Sequence, residues 1–274
     1  MVALTVRRHL PDLVEGSKQA KLVQLRLLRS AIERGPDELQ PLLLNVLNLS
    51  TREQKALIDL LKETTLGAMI RATGVLTDRM KFLHGLEMMV FNSELKKLVK
   101  ERSQLHRILA ANTWIFGEEY NLSADDKGLT EVLKAHKKTL GDKVTIDQPA
   151  TLATGKRGIV DLMLSRKIQG NREDDIEHLV VELKRPGATI GTEELTQIKK
   201  YAVAVAKDER FSSLKVRWEF VIIGNEMDDQ VRLEARQSGK PTGIVFSTDR
   251  PLLINVRIKT WAEVIHENKS RLSF

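Results

Sequence analysis

Residues 158–201 read GIVDLMLSRKIQGNREDDIEHLVVELKRPGATIGTEELTQIKKY, and the fold turns on this stretch. It holds two apolar, β-branched runs. The first is Gly158–Leu164; the second is His178–Lys184, stopped by Arg185-Pro186-Gly187. Runs of this length between glycine, proline and charged clusters predict buried strands rather than helices. The polar residues Arg166 to Glu177 join them as a hairpin or a longer excursion. An amphipathic helix follows and carries Gln197 and Tyr201 one turn apart on one face.

Each strand carries an acid. Side chains alternate along a strand, so Glu182 and Lys184 point the same way and Leu183 points away. A carboxylate buried mid-strand is costly unless it is paired or binds a metal. Asp161 on the neighbouring strand brings a second carboxylate to the same place, and a divalent cation is the simplest way to keep both ionised. Oxygen ligands suit Mg²⁺ or Mn²⁺, which keep several waters and recruit phosphate. Lys184 beside such an ion would orient an attacking water and offset charge growing on a phosphate. Asp174 and Asp175 are nearby acids, but their hydrophilic surroundings predict solvated side chains.

Asp161 on one strand and Glu182-Leu183-Lys184 ending the next resemble the signature of the PD-(D/E)xK nuclease superfamily. Val160 stands where many members have proline. Gln197-Ile198-Lys199-Lys200-Tyr201 is similar to the QxxxY element that some branches carry after that strand. Trp114 to Tyr120 (WIFGEEY) supplies acids like the family's first-helix glutamate, with Glu118 as the expected third acid and Glu119 as its alternative. Together with VDLML and VVELKRP, these segments most resemble the Shedu-type branch, associated with anti-phage defence. The resemblance covers roughly residues 105–265. It implies a mixed-sheet α/β fold of αβββαβ order and metal-dependent cleavage of DNA. It assigns catalytic roles to Asp161, Glu182, Lys184, Gln197, Tyr201 and Glu118, with Asp161 and Glu182 as metal ligands. A homo-oligomer is also implied.

The 274 residues suffice for one large domain or two smaller ones. The expected division is a helical region over 1–104 and the α/β domain over 105–274. With 42% hydrophobic and 30% charged residues, the composition is that of a soluble globular protein. No apolar run approaches a membrane span, and the N-terminal residues lack a signal-peptide pattern, so the expected location is the cytoplasm, away from membranes. The absence of cysteine excludes disulfides, thiolate zinc sites and a cysteine nucleophile. The net charge of +7 favours an acidic partner such as a nucleic-acid backbone. Aromatic residues, at 4%, are too few for an extended base-stacking platform. Lys156, Arg157, Arg185, Lys199 and Lys200 are the expected phosphate contacts near the site. The runs Lys96–Arg102 and Lys134–Lys138 are basic too; the first reads as a solvated helix face, the second as a better backbone contact.

Upstream, helical spacing predicts helices from Ser17 to about Ile32 and from Asp37 to Leu47. Ser50-Thr51-Arg52-Glu53 reads as a capping box opening a third, with Ala56, Leu57, Leu60 and Leu61 on its buried face. Asp78 to Phe91 reads as one helix, and Asn92 starts another reaching toward Phe116. The Leu/Met stripes there read as core or oligomer contacts, and His84 and His106 as isolated histidines. Asp125 to Gly128 reads as a polar loop. Arg217–Gly224 is expected as a central strand, Gly243–Phe246 and Leu252–Ile258 as peripheral strands, and Thr260 as the cap of a closing helix. Two other function classes stay open: a binding or sensing module with a nuclease fold and no turnover, and a scaffold acting through its helical region.

Overall fold

The computed structural model describes residues 18, 22, 50–142, 145–152, 158–168, 175–211, 216–249 and 252–273. The chain divides into two compact units, 1–79 and 80–274. The expected helices over 17–32 and 37–47 lie outside the described residues.

In the first unit, α1 (Thr51–Glu63) opens on the capping box foreseen for it. The Ser50 backbone N–H donates to Glu53 Oε2 at 2.8 Å, and the Glu53 N–H donates back to Ser50 Oγ at 3.4 Å. Of the face expected to be buried, Ala56 and Leu60 are exposed and Leu57 is half-buried, while the Leu61 side chain lies outside what the structure describes. A helix of this length buries its stripe only where a partner covers it.

α2 (Leu66–Phe91) begins a dozen residues earlier than Asp78 and runs through Gly74 and Gly85. Within the second unit its Leu83, Leu86 and Val90 are fully buried. The chain beyond it does not form the long helix expected after Asn92. One turn (Leu95–Leu98) ends at Val99, and Lys100 is extended at φ −89° and ψ 130°. A π turn (Glu101–His106), a short α turn (Arg107–Ala110) and a 3₁₀ turn (Thr113–Ile115) follow.

Eight strands and four helices complete the second unit's regular elements among the described residues. They are β1 (Asn121–Gly128), α3 (Leu129–Leu140), β2 (Ile159–Ile168), β3 (Asp175–Leu183), β4 (Thr189–Ile190), α4 (Thr192–Lys207), β5 (Val216–Gly224), β6 (Glu226–Met227), α5 (Asp229–Glu234), β7 (Ile244–Thr248), β8 (Leu253–Thr260) and α6 (Trp261–Leu272). The main sheet has the order β1-β2-β3-β5-β8-β7. β1 to β3 pair antiparallel, β3, β5 and β8 run parallel, and β7 returns antiparallel at the far edge. This is a mixed α/β fold, with a six-stranded mixed sheet flanked by helices. α4 makes the crossover between β3 and β5, the connection a parallel pair requires.

Two readings are corrected here. Asp125–Gly128 is the end of edge strand β1, with Asp125 opposite Leu162. β8 is internal, lying between β5 and β7. Thr260 does cap α6, accepting from the Glu263 N–H at 3.1 Å.

Alternation along β3 and β5 loads both sheet faces. Val180, Trp218, Phe220 and Ile222 join α3 and α4 in one core. Leu179, Val181, Val221 and Ile223 pack with α6 and the end of α2 in the other. The first core also encloses a polar chain. His136 Nδ1 lies 3.0 Å from His178 Nε2, His178 Nδ1 lies 2.8 Å from Ser165 Oγ, and Ser123 Oγ donates to Ser165 Oγ at 2.7 Å. Among the described residues, no helix is long and apolar enough to cross a membrane.

Candidate active site

β2 and β3 pair in register from Ile168↔Asp175 to Leu162↔Val181. Carried one residue further, this register sets Asp161 opposite Glu182, and there a side chain replaces the next rung. The Leu183 N–H donates to Asp161 Oδ2 at 2.7 Å. The Lys184 N–H turns to β5 and donates to the Ile223 carbonyl at 2.9 Å. Both acids are buried, Asp161 at 4% exposure and Glu182 at 5%. Bulk water therefore screens neither of them well.

Two side chains converge on Glu182, and a third reaches it through one of them. Lys184 Nζ and Gln197 Nε2 each lie 3.1 Å from its Oε1. Gln197 Nε2 is also 3.1 Å from the Tyr201 hydroxyl, so the helical spacing of Gln197 and Tyr201 links α4 to the strand acid. Burial is the main force pushing the Tyr201 hydroxyl up, and the charges on Glu182 and Asp161 push the same way. Bonds from Gln197 and the Ile159 backbone oppose the shift. Gly158 lets the ring in: a Cβ there would lie 2.5 Å from Tyr201 Cε1.

The backbone of Asp161 is held from the other side by His106. Its Nε2 lies 2.8 Å from the Asp161 carbonyl oxygen and 2.7 Å from Asp125 Oδ1. The π turn delivers this side chain, with the Leu105 N–H donating five residues back to Lys100 at 3.2 Å. Neither His106 nor Asp125 was identified from the sequence as a site residue. The signal was weak: a lone histidine in an expected continuous helix, and an acid in an expected loop.

Among the described residues no group of three or more histidines, cysteines or acids stands ready for a metal. Asp161 and Glu182 form a two-carboxylate, all-oxygen set. That fits Mg²⁺ or Mn²⁺, which complete their shells with water and phosphate, and does not fit zinc, which prefers nitrogen and sulfur in a tetrahedron.

The structure thus brings together Asp161, Glu182, Lys184, Gln197 and Tyr201. It places Glu118 elsewhere, 3.7 Å from Arg271 of α6. Its neighbour Tyr120 donates to Glu177, which Arg166 also pairs, and this fixes the segment near the opposite end of β2 from Asp161. Glu119 acts on Arg166 there as well. Among the expected phosphate contacts, Arg185 and Lys200 are exposed, and Lys199 is tied to Glu234 at 2.6 Å. Lys156, Arg157 and Asp174 lie outside the described residues, and Asp175 opens β3 half-buried opposite Ile168.

No protein-family model and no curated protein matches this chain. Among solved structures it is similar to the crystal structure of a repair endonuclease from Pyrococcus abyssi, at 15% identity and a TM-score of 0.27. The match covers 48% of this chain and 40% of that one, so the chain spans two fifths of that protein's length.

Proposed function

We propose that the protein is a metal-dependent endonuclease that hydrolyses phosphodiester bonds in DNA. The observation that carries this reading is the cluster of Lys184 and Gln197 on one Glu182 oxygen, at the point where β2 offers Asp161 in place of a backbone rung. The order β1-β2-β3-α4-β5 agrees with the PD-(D/E)xK resemblance, with α3 interposed between β1 and β2.

Asp161 and Glu182 would hold one Mg²⁺ or Mn²⁺, which when bound supplies Lewis-acid polarisation of the scissile phosphate. Lys184 orients the attacking water and offsets the charge that develops on the phosphate oxygens. Gln197 fixes the Glu182 carboxylate, and Tyr201 holds Gln197 in turn. His106 fixes the backbone of Asp161. Exposed Arg185 and Lys200 contribute to backbone contact, a salt-dependent and sequence-independent attraction that the net charge of +7 supports. A role in anti-phage defence and a homo-oligomeric state accompany the Shedu resemblance and are proposed with it.

The test is plasmid cleavage by wild type and Lys184→Ala with Mg²⁺, with Mn²⁺ and with EDTA. Wild type should nick or linearise the plasmid with either metal and not with EDTA. Lys184→Ala should lose at least about a hundredfold in rate, the scale of removing one electrostatic stabiliser. Wild-type protein inert with both metals, or a variant that cuts as fast as wild type, overturns the proposal.

A further inference from the structure

The loop that carries the chain from Lys184 into α4 is laced to the segment following β5, and one side chain ties that loop to the end of α2. The Lys184 N–H donates to the Ile223 carbonyl at 2.9 Å, β4 pairs with β6, and the Asp228 N–H donates to the Ile190 carbonyl at 3.1 Å. Between these rungs the chain reverses in a turn closed by the Ala188 N–H on the Arg185 carbonyl at 2.9 Å, with buried Pro186 at its first corner. Gly224 lets the two segments approach: a Cβ there would lie 2.9 Å from Ile190 Cγ1 and 3.6 Å from Lys184 Cβ.

The Pro186 carbonyl takes no part in closing that turn. It accepts from Asn225 Nδ2 at 2.8 Å, and the same nitrogen donates to the Val90 carbonyl at 2.6 Å. Val90 is in the last turn of α2, where carbonyls have no partner within the helix. Both acceptors are carbonyls, so the amide must present its nitrogen to them. Its oxygen, Oδ1, is then buried with no partner among the described residues. A buried acceptor without a donor is costly, and an apolar side chain would fill the same space without that cost. The position therefore serves the two donated bonds.

The far end of this clamp is firm. Val90 is fully buried in the second core with Leu83 and Leu86, and Lys269 of α6 donates to Glu87 at 2.7 Å. The near end lies two residues beyond Lys184, whose ammonium meets Glu182 on the face covered by α4. We infer that Asn225 is a positioning residue for the cleavage reaction. By fixing the Pro186 carbonyl against α2, it sets the direction in which the chain leaves β3 and so the place of Lys184 Nζ beside Glu182. The catalytic consequence rests on the nuclease reading of Lys184; the clamp itself does not.

Asn225→Ala removes the clamp, and Asn225→Asp keeps its shape while removing both donors. Each is compared with wild type, as full-length protein, in two measurements. The first is steady-state plasmid cleavage with Mg²⁺, with rates normalised to the folded fraction by circular dichroism. Both variants should lose at least about tenfold in kcat with KM unchanged, since a displacement of about 1 Å can cost about a hundredfold. The second is hydrogen exchange read by mass spectrometry. Segment 184–191 and the end of α2 should both exchange faster in the variants, while β7 and β8 keep wild-type protection. Folded variants that cut at the wild-type kcat, or whose loss lies in KM alone, overturn the positioning role, because a merely structural tie would lower only the folded fraction. Unchanged exchange at both segments overturns the clamp. Wild type that cuts no plasmid while exchange responds as expected overturns the nuclease reading and the positioning role with it, and supports the clamp alone.

Discussion

Gly158 shows how one missing side chain sets the geometry of the acids beside it. The Tyr201 ring occupies the space a Cβ would need, and through Gln197 it reaches Glu182. Gly158→Ala must displace either the ring or the start of β2, since a 2.5 Å carbon–carbon approach is not tolerated. Overpacking of this kind costs about 1–3 kcal/mol. The expected result is a lower urea midpoint for Gly158→Ala than for wild type at an unchanged m-value. In a Tyr201→Ala background the same substitution should cost much less, because the clashing atoms are gone. The two changes would then be coupled by about 0.5–3 kcal/mol, the range for residues in contact. Strict additivity would mean that the ring does not pack against Gly158.

At the scale of elements, His106 is the strongest case of one segment acting on another. It joins the π turn to β1 through Asp125 and to β2 through the Asp161 carbonyl. Removing a buried partner costs the desolvation of what it leaves behind, about 1–3 kcal/mol. His106→Ala should therefore lower stability by that amount in urea unfolding, and Asp125→Ala should add little further in the double variant. If the nuclease reading holds, His106→Ala should also slow plasmid cleavage at temperatures where the variant remains folded. A variant as stable as wild type would show that the contact is not a structural tie.

The same segments show what was legible in the sequence. Gly158–Leu164 and His178–Lys184 announced themselves because β2 and β3 lie inside the sheet and are buried along most of their length. Glu182, Lys184, Gln197 and Tyr201 then met because strand alternation and helical spacing are local rules. β1 was hidden for the converse reason. It is an edge strand with mostly exposed, polar residues, so Asp125–Gly128 carried the composition of a loop. The position of Glu118 was not legible because it depends on tertiary anchors, Tyr120 on Glu177 and Glu118 on Arg271, whose partners lie far away in sequence. His106 was illegible because the break in helix at Lys100 sets its direction, and nothing in the residues 92–116 announces that break.

For the molecule as a whole, the buried histidine pair ties stability to pH. His136 and His178 are almost wholly buried between α3, β3 and Trp218, whose ring centroid lies 4.5 Å from that of His178. Burial is the first cause that lowers both, His136 to about 4 and His178 to about 3. Lys137 pushes His136 the same way and Asp142 opposes it, while each unit of charge on His136 further disfavours charge on His178. In the unfolded chain both titrate near about 6.5. Between that value and the folded ones the unfolded state binds more protons than the native state, so stability rises with pH. The contribution is fully present above about 6.5 and is lost as pH falls toward about 4, at up to roughly 1.4 kcal/mol per pH unit for each histidine. Unfolding by urea between pH 5.5 and 6.5 isolates this effect, because carboxylates near their ordinary range are almost fully ionised there. Wild-type stability should climb across that window. His136→Gln, destabilised overall by the lost contact to His178, should climb with a slope smaller by most of one histidine's share. Equal slopes would mean that His136 is not held neutral in the folded protein, and a flat wild-type profile would remove the effect from both residues.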